Sequence, residues 1–234
     1  MKQHRWIYYY GAAAIGLLAG VWSARAEVRF DHIVRNDFFS GFTGNAEALT
    51  RGMNVCEQVL AANPNHAEAL VWHGAGLFFQ SGQLFQQGKR EEGMQLSARG
   101  MAEMDKSVAL APDDIGVRIP RGAALLAAAR FMPDNPFRAG LFQRAIDDHQ
   151  HVYNLQLQNQ TLDKIGSHPL GELLQALGDS YSRTGNVAKA EEYYGKLSAM
   201  LPGTVYAKRA AKWMETKQPL PVAEAQCVGC HVNK

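Results

Sequence analysis

Apolar residues recur at three- and four-residue steps along residues 171–202, where the pattern of the chain is clearest. The positions that carry it are Leu174, Leu177, Tyr181, Ala190, Tyr194 and Leu197. This spacing places each half of the stretch on one face of an α-helix. Gly185 and Asn186 form a turn between the halves, and Pro202 ends the second helix. The pattern predicts a helical hairpin with one buried face.

The same periodicity predicts helices along most of the chain. They are a capping helix over 27–42, a helix over 45–62 ended by Pro64, a helix over 65–80 capped by Asn65, a partner ending at Pro112, a helix from about 116 with Pro120 in its first turns, a helix over 137–157 and a closing helix over 206–216. The stretch 84–98 is surplus to a regular repeat, which indicates a lengthened helix or an extra turn. Residues 158–169 are polar and predict an irregular connection.

Small residues fall at fixed positions in these units. With Gly171 as position 1, Gly178 falls at 8, Ala190 at 20 and Pro202 at 32, while the aromatic residues Tyr181 and Tyr194 fall at 11 and 24. The stretch therefore resembles a tetratricopeptide repeat, a helix-turn-helix unit of about 34 residues. Other units place Gly52 and Gly100 at position 20, and Gly74 and Gly122 at position 8.

This resemblance covers roughly residues 45–216 and implies an all-α array, either an α-solenoid or a compact bundle of about eight or nine helices, within a helical domain over residues 27–216. Arrays of this family commonly hold peptides or partner proteins in a concave groove. Such a function is an analogy at the level of the fold.

The charge of the chain argues against nucleic acid as a partner. The formal net charge is +2, from 24 Lys and Arg against 22 Asp and Glu. Three of the basic residues, Lys2, Arg5 and Arg25, lie in residues 1–26, which contain no acidic residue. Without them 21 basic residues face 22 acidic ones, and no basic stripe remains.

Residues 1–26 are typical of a secretory signal peptide. Lys2 and Arg5 precede a short apolar segment, and Ala24-Arg25-Ala26 matches a cleavage site. The alternative is an uncleaved membrane anchor, although the apolar segment is short of the roughly 20 residues that a span needs. Both interpretations place the body of the protein outside the cytoplasm, and we expect it in the periplasm.

Residues 217–234 form a predicted linker and a tail that carries the candidate chemistry. Pro219 and Pro221 indicate an extended segment, which leads to Cys227-x-x-Cys230-His231. This spacing matches the c-type haem attachment motif. Two thiols two residues apart can reach the two vinyl groups of one haem, and His231 then becomes the proximal iron ligand. Covalent attachment takes place outside the cytoplasm, in agreement with the leader.

The motif is short, and two other interpretations stay open. Cys227 and Cys230 could form a disulfide in an oxidising compartment. A structural zinc site needs four ligands, and the motif supplies three. Cys56, on an apolar helical face, is expected to be a buried free thiol.

A second axial ligand for the iron has no obvious source in the tail, since only three residues follow His231. The candidates are the methionines and His32, His66, His73, His149, His151 and His168. The sequence does not choose among them.

Other chemistry-bearing residues predict less. Residues 147–151 (DDHQH) are expected to be a solvated helix surface rather than a metal site. Arg118 and Arg121 are expected in surface salt bridges, with a carboxylate site on the concave surface as the alternative. Phe78, Phe79 and Phe85 are expected in the core, as is His73. The chain has no P-loop, nucleophile elbow, dinucleotide-binding glycine pattern or HExxH motif, so we do not expect an enzyme.

Two functions therefore remain from the sequence. The first is electron transfer by one covalent haem c, held by Cys227, Cys230 and His231, to or from a periplasmic or membrane redox protein docked on the helical array. The second is a protein–protein interaction scaffold in which the two cysteines form a disulfide or are a vestige. Thiol–disulfide exchange ranks last, because no helix follows the cysteines to lower the pKa of the first thiol.

Overall fold

The computed structural model of the chain describes residues 29–222, and it is helical throughout. The described helices are α1 (Asp31–Phe42), α2 (Ala46–Ala62), α3 (Ala67–Gln86), α4 (Arg90–Leu110), α5 (Ile115–Phe131), α6 (Pro136–Gln158), α7 (Ser167–Arg183), α8 (Val187–Met200) and α9 (Val205–Thr216), with a short 3-10 turn at Leu162–Lys164. No strand occurs within this part of the chain, which confirms the predicted all-α class. The predicted leader lies outside the described residues.

The helices pack as successive hairpins in chain order. α1 packs on α2, α3 on α4, α5 on α6 and α7 on α8, and α9 packs on α8 at the end. The first helices of neighbouring hairpins also touch, because α3 contacts both α1 and α5, and α5 contacts α7. Each hairpin thus buries its apolar face against the next, as in a helical-repeat array.

Helix ends follow the predicted turn and cap residues at most positions. Gly185 has φ of +79°, a backbone conformation that glycine adopts without steric cost, so it turns the chain between α7 and α8. The Asn186 side chain then accepts the N–H of Lys189 at 3.1 Å and caps α8.

The predicted cap of α3 is wrong. Asn65 does not cap this helix, which begins at Ala67 with His66 as its capping residue. Nδ1 of His66 accepts the N–H of Ala69 at 3.1 Å. A cap must lie directly before the first helical residue, and Asn65 is one residue too early.

The surplus residues between Pro64 and Pro112 lengthen both helices of the second hairpin. α3 runs for 20 residues and α4 for 21, and only residues 87–89 separate them. Phe85 lies in this extension, away from the core, and is 41% exposed. The predicted burial of Phe85 is therefore wrong. Phe78 is buried as expected, and Phe79 is partly buried against the same core.

The last hairpin begins earlier than the repeat pattern indicates. α7 starts at Ser167, four residues before Gly171, and so includes the last three residues of the predicted irregular connection. Pro169 lies in the first turn of α7, where its missing N–H has no helical partner to lose. The remainder of the connection contains the 3-10 turn at Leu162–Lys164.

Two predicted small positions meet directly between α3 and α4. A Cβ atom added at Gly74 would lie 2.7 Å from the carbonyl oxygen of Gly100, and one added at Gly100 would lie 2.6 Å from that of Gly74. In the last hairpin, a Cβ atom added at Gly178 would lie 3.1 Å from the ring of Tyr194. Glycine at these positions lets the paired helices approach closely.

The core consists of two clusters along the array. The first joins buried residues of α1 to α6, including Phe38, Trp72 and Phe142. The second joins α6 to α9 around Tyr194 and Trp213, whose rings stack at 4.8 Å. Leu220, within the predicted linker, is only 2% exposed and belongs to the second cluster. The linker therefore begins as a segment held against the helices.

Across residues 29–222, every helix is too short or too polar to span a bilayer.

Candidate functional site

The first helices of the four hairpins line a groove of about 420 Å³. Its wall is largely apolar, with Phe39 from α1, Trp72 from α3, Ile119, Leu126 and Ala127 from α5, and Ala176 from α7. Polar side chains come from Arg29 and Arg35 at or beside α1 and from His168 and Glu172 on α7, and also from Arg130 on α5 and His149 on α6. The volume is within the range of small-molecule sites, about 300–1,000 Å³. The groove can therefore bury a flat apolar group and still meet charged groups at its sides.

His149, on α6, is one of the two histidines in the groove wall. Its Nδ1 lies 2.7 Å from the carbonyl oxygen of Ala145. A carbonyl oxygen only accepts, so Nδ1 carries the proton and Nε2 keeps the lone pair of the neutral ring. The residue is 3% exposed, and burial lowers the pKa of the imidazole, which favours the neutral form.

Gly122 on α5 makes room for this ring. A Cβ atom at Gly122 would lie 2.7 Å from Cε1 and 2.9 Å from Nδ1 of His149. The Cε1–Nδ1 side of the imidazole is thus packed against α5 and its own helix. His149 also lines the groove, and its Nε2 makes no hydrogen bond within the described residues.

His168, on α7, is the second histidine of the groove wall and has a different environment. Its Nδ1 lies 2.7 Å from the hydroxyl of Tyr206 on α9. That hydroxyl also donates to Oε1 of Glu172 at 2.6 Å. His168 is therefore part of a polar network that fixes α9 on α7.

A buried carboxylate, Asp148, holds α5 and α6 together behind the groove. Its side chain is fully buried and accepts from Arg118 at 2.9 Å and from Arg121 at 2.7 Å through both oxygens. The prediction of a solvated surface is therefore wrong for Asp148 and His149, although Asp147 is exposed. Arg118 and Arg121 do hold a carboxylate, but it is an internal one.

A second buried carboxylate links the groove to the start of the tail. Asp179 on α7 binds Arg130 of the groove wall at 2.7 Å and Arg183 at 2.9 Å. Nη2 of Arg183 in turn donates to the carbonyl oxygen of Leu220 at 2.5 Å. Asp179 and Arg183 thus link the groove wall to Leu220 through a continuous chain of polar contacts.

The remaining candidate histidines lie elsewhere. His73 is buried as predicted, with Nδ1 2.5 Å from Oε2 of Glu103. His66 caps α3, His151 lies 2.7 Å from Asp113, and His32 lies beside Asp31. The prediction of a buried free thiol at Cys56 is confirmed, and burial raises the pKa of that thiol to about 12.

The predicted haem-binding residues, Cys227, Cys230 and His231, lie outside the described residues. Within residues 29–222, no cluster of three or more His, Cys, Asp or Glu side chains could hold a metal ion. The described body of the protein therefore offers a groove and single side chains rather than a metal site of its own.

Sequence reasoning missed the groove as a defined site and the burial of Asp148 and His149. One signal was present, since Arg118 and Arg121 are three residues apart and share a helix face. Their common partner, Asp148, is 27 and 30 residues away along the chain. The pairing depends on how α5 packs against α6, and periodicity does not report that.

Comparisons with protein-family models, with curated proteins and with solved structures found no match.

Proposed function

We propose that this chain is an exported electron-transfer protein that carries one covalent haem c on its C-terminal tail. The observation behind this proposal is the Cys227-x-x-Cys230-His231 motif. Each thiol would add across one vinyl C=C bond, so that sulfur bonds to one carbon and the thiol hydrogen goes to the other. This addition needs no oxidant. His231 would bind the iron, and the haem would supply one-electron exchange.

The rest of the chain supports this proposal in two ways. Residues 1–26 have the pattern of an export signal, and export leads to the compartment in which such attachment takes place. The helical array provides an extended surface on which a periplasmic or membrane redox protein would dock, as the resemblance to tetratricopeptide repeats implies.

Co-expression with c-type haem maturation factors tests the proposal directly. The purified mature protein should show a Soret band that survives denaturation, and its mass should rise by that of one haem. Variants Cys227→Ser and Cys230→Ser should each lose one covalent link, and the double variant should carry none. Mature wild-type protein without the band or the added mass would overturn the proposal.

Thiol labelling gives a second, independent readout, because Cys56 should not contribute to the signal. Because Cys56 is buried and burial raises its pKa to about 12, it should not react in the native protein near pH 8. Native labelling therefore reports on the tail. After treatment with a disulfide reductant, haem attachment predicts no labelled thiol, whereas a tail without haem predicts two, whether its cysteines were free or in a disulfide.

The second candidate function is an interaction scaffold without haem. The apolar groove lined by the first helices of the hairpins favours it. Because Leu220 is buried in the second core cluster, the proper deletion removes only residues 223–234. The scaffold function predicts unchanged partner binding after this deletion, and loss of binding would contradict it.

A further inference from the structure

We propose that the haem of the tail docks in the groove of its own chain, where Nε2 of His149 is the second axial ligand of the iron. This inference rests on the proposed function, because it requires haem on Cys227 and Cys230. It adds the place of the haem and the identity of its second ligand, which the motif leaves open.

The tail starts next to the groove. Leu220 is fixed by its burial and by Arg183, and the contacts from Arg183 through Asp179 to Arg130 end in the groove wall. Cys227 follows Leu220 by seven residues. An extended chain covers about 3.3–3.6 Å per residue, so Cys227 can lie up to about 25 Å from Leu220. This reach is ample for a site bordered by Arg130.

The apolar wall of the groove suits the faces of the haem. A porphyrin is flat and apolar over most of its area, and the groove presents apolar side chains from four helices. Haem propionates are carboxylates, and Arg29 and Arg35 lie at the side of the groove, both paired with Asp31 but with side chains 50% and 45% exposed. An exposed haem would leave its apolar faces in water, and docking removes them from it.

His149 has the arrangement of a metal-ligating histidine. Such residues usually donate their other ring N–H to a carboxylate or a backbone carbonyl, which fixes the tautomer and the ring orientation. In His149 the N–H at Nδ1 goes to Ala145, and Gly122 packs against that side of the ring. Nε2 keeps its lone pair and makes no hydrogen bond within the described residues, and His149 lines the groove.

His168 is the rival ligand in the groove, and its contacts disfavour it. Its Nδ1 belongs to the network with Tyr206 and Glu172, which joins α7 to α9. The other four histidines of the described residues are not in the groove wall. An external peptide would compete for the same apolar surface, and the experiments below separate that occupant from the tail.

The main test compares spectra of the matured holoprotein. Wild-type protein should contain six-coordinate, low-spin ferric iron by absorption and electron paramagnetic resonance. His149→Leu should convert it to a high-spin form that binds added imidazole or azide much more readily. His151→Ala, two residues away and outside the groove wall, should leave the spectrum unchanged. His168→Ala tests the rival ligand, since conversion to high-spin iron by this variant alone would assign the iron to His168.

A second pair of variants guards against misfolding, since His149 is buried. Ala123 lines the groove and is exposed, so Ala123→Trp should fill the groove with the fold intact. We expect the same change to high-spin iron with His149 still present. Ala139→Trp, on an exposed position of α6 outside the groove wall, is the matched control and should keep low-spin iron.

The outcomes separate this inference from the function on which it rests. A mature protein without covalent haem overturns both. A covalent haem that is high-spin in the wild type overturns the docking inference alone. So does a low-spin spectrum that neither His149→Leu nor Ala123→Trp changes, or one that only His168→Ala changes, and in these cases the groove is left to a peptide or to a partner.

Discussion

At the residue scale, the carboxylate of Asp148 is tightly constrained. It is fully buried, and both of its oxygens accept from arginines of α5. Removing one member of a buried ion pair leaves an uncompensated charge in the interior. Without the Asp148 carboxylate, the charges of its arginine partners would strongly destabilise the fold.

Asp148→Ala should therefore lower the free energy of unfolding by about 3–5 kcal/mol. Denaturant unfolding followed by circular dichroism measures this loss. The matched control is Asp147→Ala, one residue earlier, where the carboxylate is exposed and accepts only from Gln143 at 2.8 Å. A change within about 0.5 kcal/mol is expected there, because exposed substitutions are usually mild. Equal effects at the two positions would contradict the structure.

The charge pattern of the sequence did not distinguish Asp147 from Asp148. Both precede His149 in a polar run, and the run alone indicates a solvated surface. Which carboxylate turns inward depends on the rotation of α6 about its axis, and that rotation is set by Leu141, Phe142 and Ala145 one and two turns earlier. The spacing of those apolar residues indicates which face of α6 is buried, whereas the run of polar residues alone indicates an exposed surface.

At the scale of the helices, the contact between α3 and α4 depends on two glycines without side chains. Gly74 and Gly100 bring backbone against backbone, so a methyl group at either position meets a carbonyl oxygen. A backbone atom cannot move aside as a flexible side chain can. The helices would have to separate, and neighbouring contacts would loosen.

Gly100→Ala should for this reason destabilise the protein by about 1–3 kcal/mol, despite the better helix propensity of alanine. Gly82→Ala is the matched control on α3, since a Cβ there meets nothing within 4 Å. It should stabilise by up to about 1 kcal/mol. Thermal unfolding measures both changes. Opposite signs support the close contact, and two stabilising effects would exclude it.

Helix positions were largely predictable, and helix ends less so. The apolar spacing in residues 171–202 located the hairpin of α7 and α8, and Asn186 capped α8. The extension of α3 to Gln86 was only one of two predicted alternatives. α3 ends where Gly88 takes φ of +78° and the N–H groups of Gly88 and Lys89 bond to the carbonyl oxygens of Phe85 and Leu84, so a glycine in the sequence marks this helix end.

At the scale of the whole molecule, the two core clusters divide the array along its length. α9 closes the second cluster with Trp213, whose ring stacks on Tyr194 and whose Nε1 donates to Oγ of Ser182 at 2.7 Å. Repeat arrays lose structure locally, because each unit contacts only its neighbours. The end of the array should therefore unfold before the rest when its closing helix is weakened.

Trp213→Ala should cost about 3–5 kcal/mol in the last hairpin, since the indole is fully buried. Hydrogen exchange followed by mass spectrometry should show faster exchange in α7, α8 and α9, with little change in α3 and α4. Glu215→Ala, on the exposed side of α9, should leave exchange unaltered. Uniform acceleration over all helices would mean that the array unfolds as one unit.

The sequence and the structure describe different halves of the candidate site. The haem motif is short and local, so residues 227–231 alone predict it. The groove is assembled from helices α1, α3, α5 and α7, which are separated by their partners along the chain. Its existence follows from packing, and no single stretch of sequence contains it.

Burial of Leu220 also determines how free molecules would compete with the tail for the groove. A group on the following residues is tethered beside it, and short flexible tethers produce effective concentrations in the millimolar range. Occupancy by the tail would then be independent of protein dilution. To displace the tail, a free molecule would need a concentration above this local concentration multiplied by the ratio of its own dissociation constant to that of the tail.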